Sequence, residues 1–119
     1  AAAGGTGFGV YQAAADAGKW AIGVDSNQNH LQPGTMLTSM VKRVGEAAYK
    51  SYETANNGTW TAGVSVMGLA EGGVDWALDE HNRALVTATM ESDVNAIKAS
   101  IIAGDISVHD YMSDNTCNY

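Results

Sequence analysis

The stretch Trp20-Ala21-Ile22-Gly23-Val24-Asp25-Ser26-Asn27-Gln28-Asn29 opens on a short apolar run and closes on a polar cluster. That order marks a buried strand whose C-terminal end meets solvent. Just upstream, Val10, Ala13, Ala14 and Ala17 recur at helical spacing and Gly18 supplies a stop, so a helix is expected over residues 9–17. Before that helix lies Gly4-Gly5-Thr6-Gly7-Phe8-Gly9. Glycine loop, helix and strand in series are the rhythm of an α/β fold, and such loops usually follow a strand. Opening on Ala1-Ala2-Ala3-Gly4, the chain is therefore expected to have lost a preceding strand and the domain to which it belonged.

Working downstream, Pro33-Gly34 marks a turn and residues 36–40 a second short strand. Val44, Ala47, Ala48, Ser51 and Tyr52 share one face of a helix expected over residues 41–55, which Asn56-Asn57-Gly58 ends. The alternation of Val64, Val66 and Leu69 predicts a strand within residues 62–69, followed after Glu71-Gly72-Gly73 by an extended stretch through Val74, Trp76 and Leu78. Thr87 or Thr89 caps a helix over residues 90–103, with Met90, Val94, Ile97, Ile101 and Ile102 at helical spacing and Gly104 closing it. A last strand is expected at residues 106–108, leading into a polar tail. Alternating strands and helices imply a mainly parallel sheet with helices on its faces.

At 119 residues, 45% of them hydrophobic and one of them proline, the chain has the composition of a single packed globular unit. Six basic against thirteen acidic residues give a net charge of −7, which repels a phosphate backbone and argues against nucleic acid as a partner. Cys117 stands alone and His30, His81 and His109 are isolated, so neither a disulfide nor a metal site is expected. No serine sits in a nucleophile elbow with histidine and aspartate partners, so an enzyme is not expected, nor a cofactor.

The glycines before the first helix can offer backbone N–H groups to a ligand's oxygens at the positive end of the helix. A phosphate-cradling loop would need Gly-Lys-Ser/Thr at its end, which is absent here. A dinucleotide site remains open as the rival reading. Asp25 follows the glycines at the distance of a ribose-binding carboxylate, although the third fingerprint glycine is missing. NADH fluorescence on mixing separates the two readings, since a transport protein predicts no change.

A carboxylate at the end of a parallel strand points into the crevice where open α/β sheets bind ligands, and it can accept two hydrogen bonds from a vicinal diol. The same Asp25 can instead make an Asx turn with Asn27. Lys42, following the second strand, can reach the same crevice or lie solvated in a helix's first turn. The charged run Asp79-Glu80-His81-Asn82-Arg83, with Asp75, invites a metal or acid–base reading, but it lacks the paired histidines of a metalloprotease helix and reads as a solvated turn or as salt bridges.

Taken in order and spacing, four motifs resemble the basic membrane protein family: the run from Ala1 to Gly9, the run from Trp20 to Gln28, Leu37-Thr38-Ser39-Met40-Val41-Lys42-Arg43-Val44, and Gly68-Leu69-Ala70-Glu71-Gly72-Gly73-Val74. The resemblance covers only the C-terminal part of such proteins. It implies a two-lobe, type I periplasmic-binding-protein fold. It also implies an extracytoplasmic solute-binding lipoprotein that captures purine nucleosides between its lobes and delivers them to an ABC permease, its lipid anchor upstream of Ala1.

Residue by residue, the resemblance implies that Gly4, Gly5, Thr6 and Gly7 approach the ligand, that Asp25 accepts from the ribose hydroxyls and that Lys42 adds a polar contact. Phe8 stands where a small polar residue is common, and Asn27 where an aspartate is. Residues 1–60 are then expected in the C-terminal lobe, 61–87 in a strand and hinge crossover, and 88–119 on the N-terminal lobe. The expected partners are a nucleoside, the permease, and either the missing N-terminal portion or a second copy of the chain.

Overall fold

The computed structural model describes residues 4–117. Residues 1–3 of the glycine-rich motif and residues 118–119 of the tail lie outside the described residues. Among the described residues three strands form one sheet in the order β1 (Ala21–Asp25), β2 (Met36–Lys42), β3 (Val74–Trp76). The first pair is parallel, with Gly23 beside Ser39 and Asp25 beside Val41. The second is antiparallel, with Met40 opposite Trp76 and Lys42 opposite Val74. The α/β class stands, with a mixed sheet where a mainly parallel one was expected.

Among the described residues four α-helices accompany the strands: α1 (Gly7–Asp16), α2 (Val44–Asn57), α3 (Ala88–Ala103) and the short α4 (Tyr111–Asp114). A 3-10 turn at Gly4–Thr6 leads into α1. The stops read from the sequence act as expected, because Gly18, Gly58 and Gly104 adopt φ of +60°, +74° and +84°, a region open to glycine without penalty. Thr87 caps α3, its side chain accepting from the Met90 N–H at 3.2 Å.

Packing is concentrated where α1 meets the sheet. Tyr11, Ala21 and Met36 are buried together, with Ala14 against them, and the Tyr11 hydroxyl donates to Gln28 Oε1. Neither α2 nor α3 buries a residue. Val44, Tyr49 and Tyr52 on α2 and Ile97 on α3 are exposed by 70%, 65%, 79% and 52%, so these apolar stripes find no cover among the described residues.

Three sequence expectations are corrected. Residues 62–69 form no strand, and Val64 and Val66 are 95% and 81% exposed. Alternation alone makes no strand here: the stretch pairs with neither outer strand, β1 or β3, and with no face packed against it Val64 and Val66 stay in solvent. Residues 106–108 likewise form no strand and lead instead to α4, capped by Asp110 through the Met112 N–H at 2.9 Å. Finally, Lys42 ends a strand and is not in a helix's first turn, because pairing with β3 draws β2 on through residue 42.

Candidate functional site

Chain direction decides which residues share an edge. Because β1 and β2 run parallel, Asp25 and Lys42 end on the same side of the sheet, and Lys42 Nζ lies 2.7 Å from Asp25 Oδ1. β3 runs the other way, so its start arrives at that edge too. Val74 pairs with Lys42, and the Arg43 N–H donates to the Gly73 carbonyl at 2.8 Å. Gly73 is required there, since a Cβ would collide with the Met67 carbonyl.

The N-terminus of α2 begins at the same edge, with Val44 directly after Arg43. α1 returns to it as well. The chain reverses between α1 and β1 at Gly18, so the helix runs back along the strand, and its ten residues span about 15 Å against about 16 Å for the five of β1. The turn at Gly4–Thr6 is thereby carried to the level of Asp25. Gly7 is buried, while Gly4, Gly5 and Thr6 are exposed. Three of the four stretches that carry the family resemblance therefore meet at this edge, and the first leads into α1.

Asp25 is held in an uncommon conformation. Its φ of +72° lies in the left-handed region, which costs a non-glycine residue about 1–2 kcal/mol, least for Asp and Asn. The effect is to reverse the chain, so that residues 26–31 fold back over the sheet instead of continuing away from it. The Ser26 N–H donates to the Val24 carbonyl at 2.9 Å and the Gln28 N–H to Ser39 Oγ at 3.0 Å. Asn29, fully buried, accepts from the Ser39 hydroxyl at 2.8 Å. Gly23 makes room for that hydroxyl, since a Cβ at residue 23 would lie 2.5 Å from Ser39 Oγ.

The folded-back loop is tied to the segment after β3. Asp79 Oδ2 accepts from the side-chain amides of Asn27 at 2.6 Å and Asn29 at 3.0 Å, and Oδ1 accepts from the His81 N–H at 2.8 Å. The Asp79 N–H in turn donates to Asn82 Oδ1 at 2.8 Å. Buried Asn82 donates from its amide to the carbonyls of Leu37 and Ala77 at 2.9 and 3.0 Å. Burial acts to raise the Asp79 pKa, but the hydrogen bonds from Asn27, His81 and Asn29 outweigh it and hold the carboxyl below its ordinary value.

The charged run at residues 79–83 therefore acts as a structural hub. The ligand atoms of Asp79, Glu80 and His81 lie within 4.8 Å of one another. Both Asp79 oxygens are already engaged, while Glu80 and His81 face each other at 3.7 Å in the open.

A shallow cleft of about 500 Å³ opens beside the edge, walled by Asn27, Val41, Arg43, Glu46, Trp76 and Leu78 among others. That volume is in the range of small-molecule sites. Asp25 and Lys42 do not line it, but both are about half exposed, at 55% and 54%, and available to a ligand seated at the edge. An ion pair so exposed contributes little to stability, ~0–1 kcal/mol.

The structure thus unites Asp25 with Lys42, and shows no contact between either of them and Gly4–Gly7 among the described residues. What the sequence reading missed is the support formed by Ser39, Asn29, Asp79 and Asn82. The one local signal was a serine in an apolar strand.

Comparison with known proteins agrees with the architecture. A family model described as ABC transporter substrate-binding protein PnrA-like matches residues 1–111. Basic membrane protein B of Borrelia garinii subsp. bavariensis is 44% identical over 76 residues, 60% of this chain and 22% of that protein. Basic membrane protein C of Borreliella burgdorferi is 33% identical over 109 residues, 87% of this chain and 31% of that protein. An uncharacterized lipoprotein of Pyrococcus furiosus is 40% identical over 60 residues, 50% of this chain and 15% of that protein.

The chain thus spans less than a third of the length of these relatives. Among solved structures, an ABC transporter solute-binding protein from Aeropyrum pernix K1 superposes with a TM-score of 0.63 at 23% identity, over 86% of this chain and 36% of that one. At that identity the likeness establishes the fold.

Proposed function

The chain belongs to the PnrA-like family of ABC transporter substrate-binding proteins, and from that premise we propose that it forms one wall of a cleft that captures purine nucleosides. The family's work is binding rather than catalysis. The observation that carries the reading is the placement of Asp25. Its carboxylate stands at the C-terminal end of β1 in a left-handed conformation, 2.7 Å from Lys42. A carboxylate so placed accepts both hydroxyls of a ribose. Lys42 supplies a neighbouring donor, and Gly4, Gly5 and Gly7 let the backbone on either side of Thr6 approach the ligand closely.

In this reading residues 1–60 belong to the C-terminal lobe, residues 61–87 carry the crossover, and residues 88–119 pack on the N-terminal lobe. The surfaces that recognise the base come from that second lobe. The parent protein works outside the cytoplasm, anchored by lipid at its own N-terminus, and passes its solute to a membrane permease. Names such as basic membrane protein and lipoprotein among the relatives support that location.

Isothermal titration of purine and pyrimidine nucleosides into the full-length parent, wild type and Asp25→Ala, tests the proposal. Free bases serve as controls. Micromolar or tighter binding is expected for nucleosides, weakened in the variant by ~100-fold, the equivalent of losing two charge-assisted hydrogen bonds. Equal binding by wild type and variant would overturn the role of Asp25, and binding of free bases alone would overturn diol capture.

A further inference from the structure

The chain reversal at Asp25 needs an anchor. A left-handed non-glycine residue persists only where its surroundings hold it there, and Asp25 is followed by a loop whose backbone makes few bonds of its own. Besides the Lys42 ion pair at Asp25 and the Tyr11 hydroxyl on Gln28 Oε1, two side chains anchor this loop: Ser39, which takes the Gln28 N–H and donates to Asn29, and Asp79, which takes the side-chain amides of both Asn27 and Asn29.

Of these, Asp79 is the one with a charge, and it is itself fixed to the sheet through Asn82 and the carbonyls of Leu37 and Ala77. The side chain at 27 must donate for this to work. An aspartate there would set two carboxylates face to face at the 2.6 Å separation that Asn27 and Asp79 now share.

We infer that Asp79 is a positioning residue for ligand capture: by holding Asn27 and Asn29 it pins the folded-back loop and so fixes the direction in which Asp25 presents its carboxylate. This rests on the reading of Asp25 as the diol acceptor. The connection runs from Asn82 to Asp79 and on to Asn27 and Asn29 by hydrogen bonds, and from Asn27 through Ser26 to Asp25 along the chain. Asp79 need not touch the ligand.

Two arms test it on the full-length protein, with Asp79→Asn and the milder Asn27→Ala, so that a folding failure of one leaves the other. In the first, without ligand, amide hydrogen exchange is followed by NMR. Protection at Ser26 and Gln28 is expected to fall by about tenfold or more, while Lys19 and Ala21, whose bonds go to Ala14 and Thr35, stay as in wild type. Unchanged protection at Ser26 and Gln28 overturns the inference. A uniform loss across the chain overturns it too, since it marks general destabilisation.

In the second arm adenosine and 2′,3′-dideoxyadenosine are titrated. Asp79→Asn is expected to weaken adenosine about tenfold and to leave the dideoxy compound within about twofold, because only a diol reads the direction of Asp25. Equal losses for both ligands overturn the inference. Failure of the wild type to bind adenosine at all would instead contradict the nucleoside reading, and the exchange arm would still decide what Asp79 holds.

Discussion

Gly23 and Ser39 share one place in the sheet, and the absence of a side chain at the first is what admits the hydroxyl of the second. A methyl at residue 23 would displace Ser39 Oγ from Gln28 and Asn29. Overpacking of this kind costs about 1–3 kcal/mol. Gly23→Ala is accordingly expected to lower the unfolding free energy by about 2 kcal/mol in a urea titration, and an unchanged midpoint would contradict the buried hub.

The two carboxyls with depressed pKa give a second prediction. For Asp75 and Asp79 burial pushes upward, and hydrogen bonds outweigh it, with the charges of Lys98 and Arg43 adding to the depression at Asp75. Both sit below the ordinary value of 3.8. The folded form therefore binds protons less readily than the unfolded chain. The stability they contribute is present above about pH 4 and is lost as pH falls through their lower folded values. Urea midpoints between pH 6 and 3 should fall steeply in wild type and more gently in the Asp75→Asn/Asp79→Asn pair. Parallel curves would show that these two groups are not responsible.

α3 is held to the sheet by polar contacts, its apolar stripe taking little part. Lys98 Nζ bonds both Asp75 oxygens at 2.8 Å, Arg43 reaches the same carboxylate at 3.2 Å, the Trp76 indole donates to Asn95 at 3.3 Å, and Arg83 pairs with Glu91. Removing the shared acceptor with Asp75→Ala strands two cations and should cost about 1–2 kcal/mol. It should also raise amide exchange along α3 more than along α1. Equal exchange in the two helices would mean that α3 is held by something else.

α1, α2 and α3 were legible in the sequence because their signals are local, a 3.6-residue period, a threonine cap, a glycine stop, whereas the short α4 was read as a polar tail. The strand-end position of Asp25 was legible for the same reason, as a polar residue ending an apolar run. The full length of β2 was not, since its last residues are fixed by β3, far along the chain. Nor was the irregularity of residues 62–69, whose alternation is real but which pairs with none of the three strands. Asp79 looked like a surface charge because its partners, Asn27 and Asn29, are brought to it only by the reversal at Asp25.

At the scale of the whole molecule the chain is open and its surface large. Its radius of gyration is 16.9 Å, against roughly 13.5 Å for a typical domain of this length. It exposes 8265 Å² where a folded monomer of 12.4 kDa exposes roughly 6,100 Å². The excess of roughly 2,100 Å² is comparable to what one partner buries in a large obligate interface, and it includes the apolar stripes of α2 and α3.

The isolated 119-residue chain should therefore associate at micromolar concentration, as a dimer or a strand-exchanged species, unless the rest of the parent protein covers those faces. Sedimentation of a stable, well-packed monomer would refute this. All of these surfaces serve one claim, that the edge shared by the glycine turn, Asp25 and Lys42 receives a ribose. A crystal structure of the full-length parent bound to adenosine tests it most directly. The account predicts both ribose hydroxyls within hydrogen-bonding distance, ~2.5–3.0 Å, of the Asp25 carboxylate. A nucleoside seated elsewhere, with Asp25 still paired only to Lys42, would contradict it.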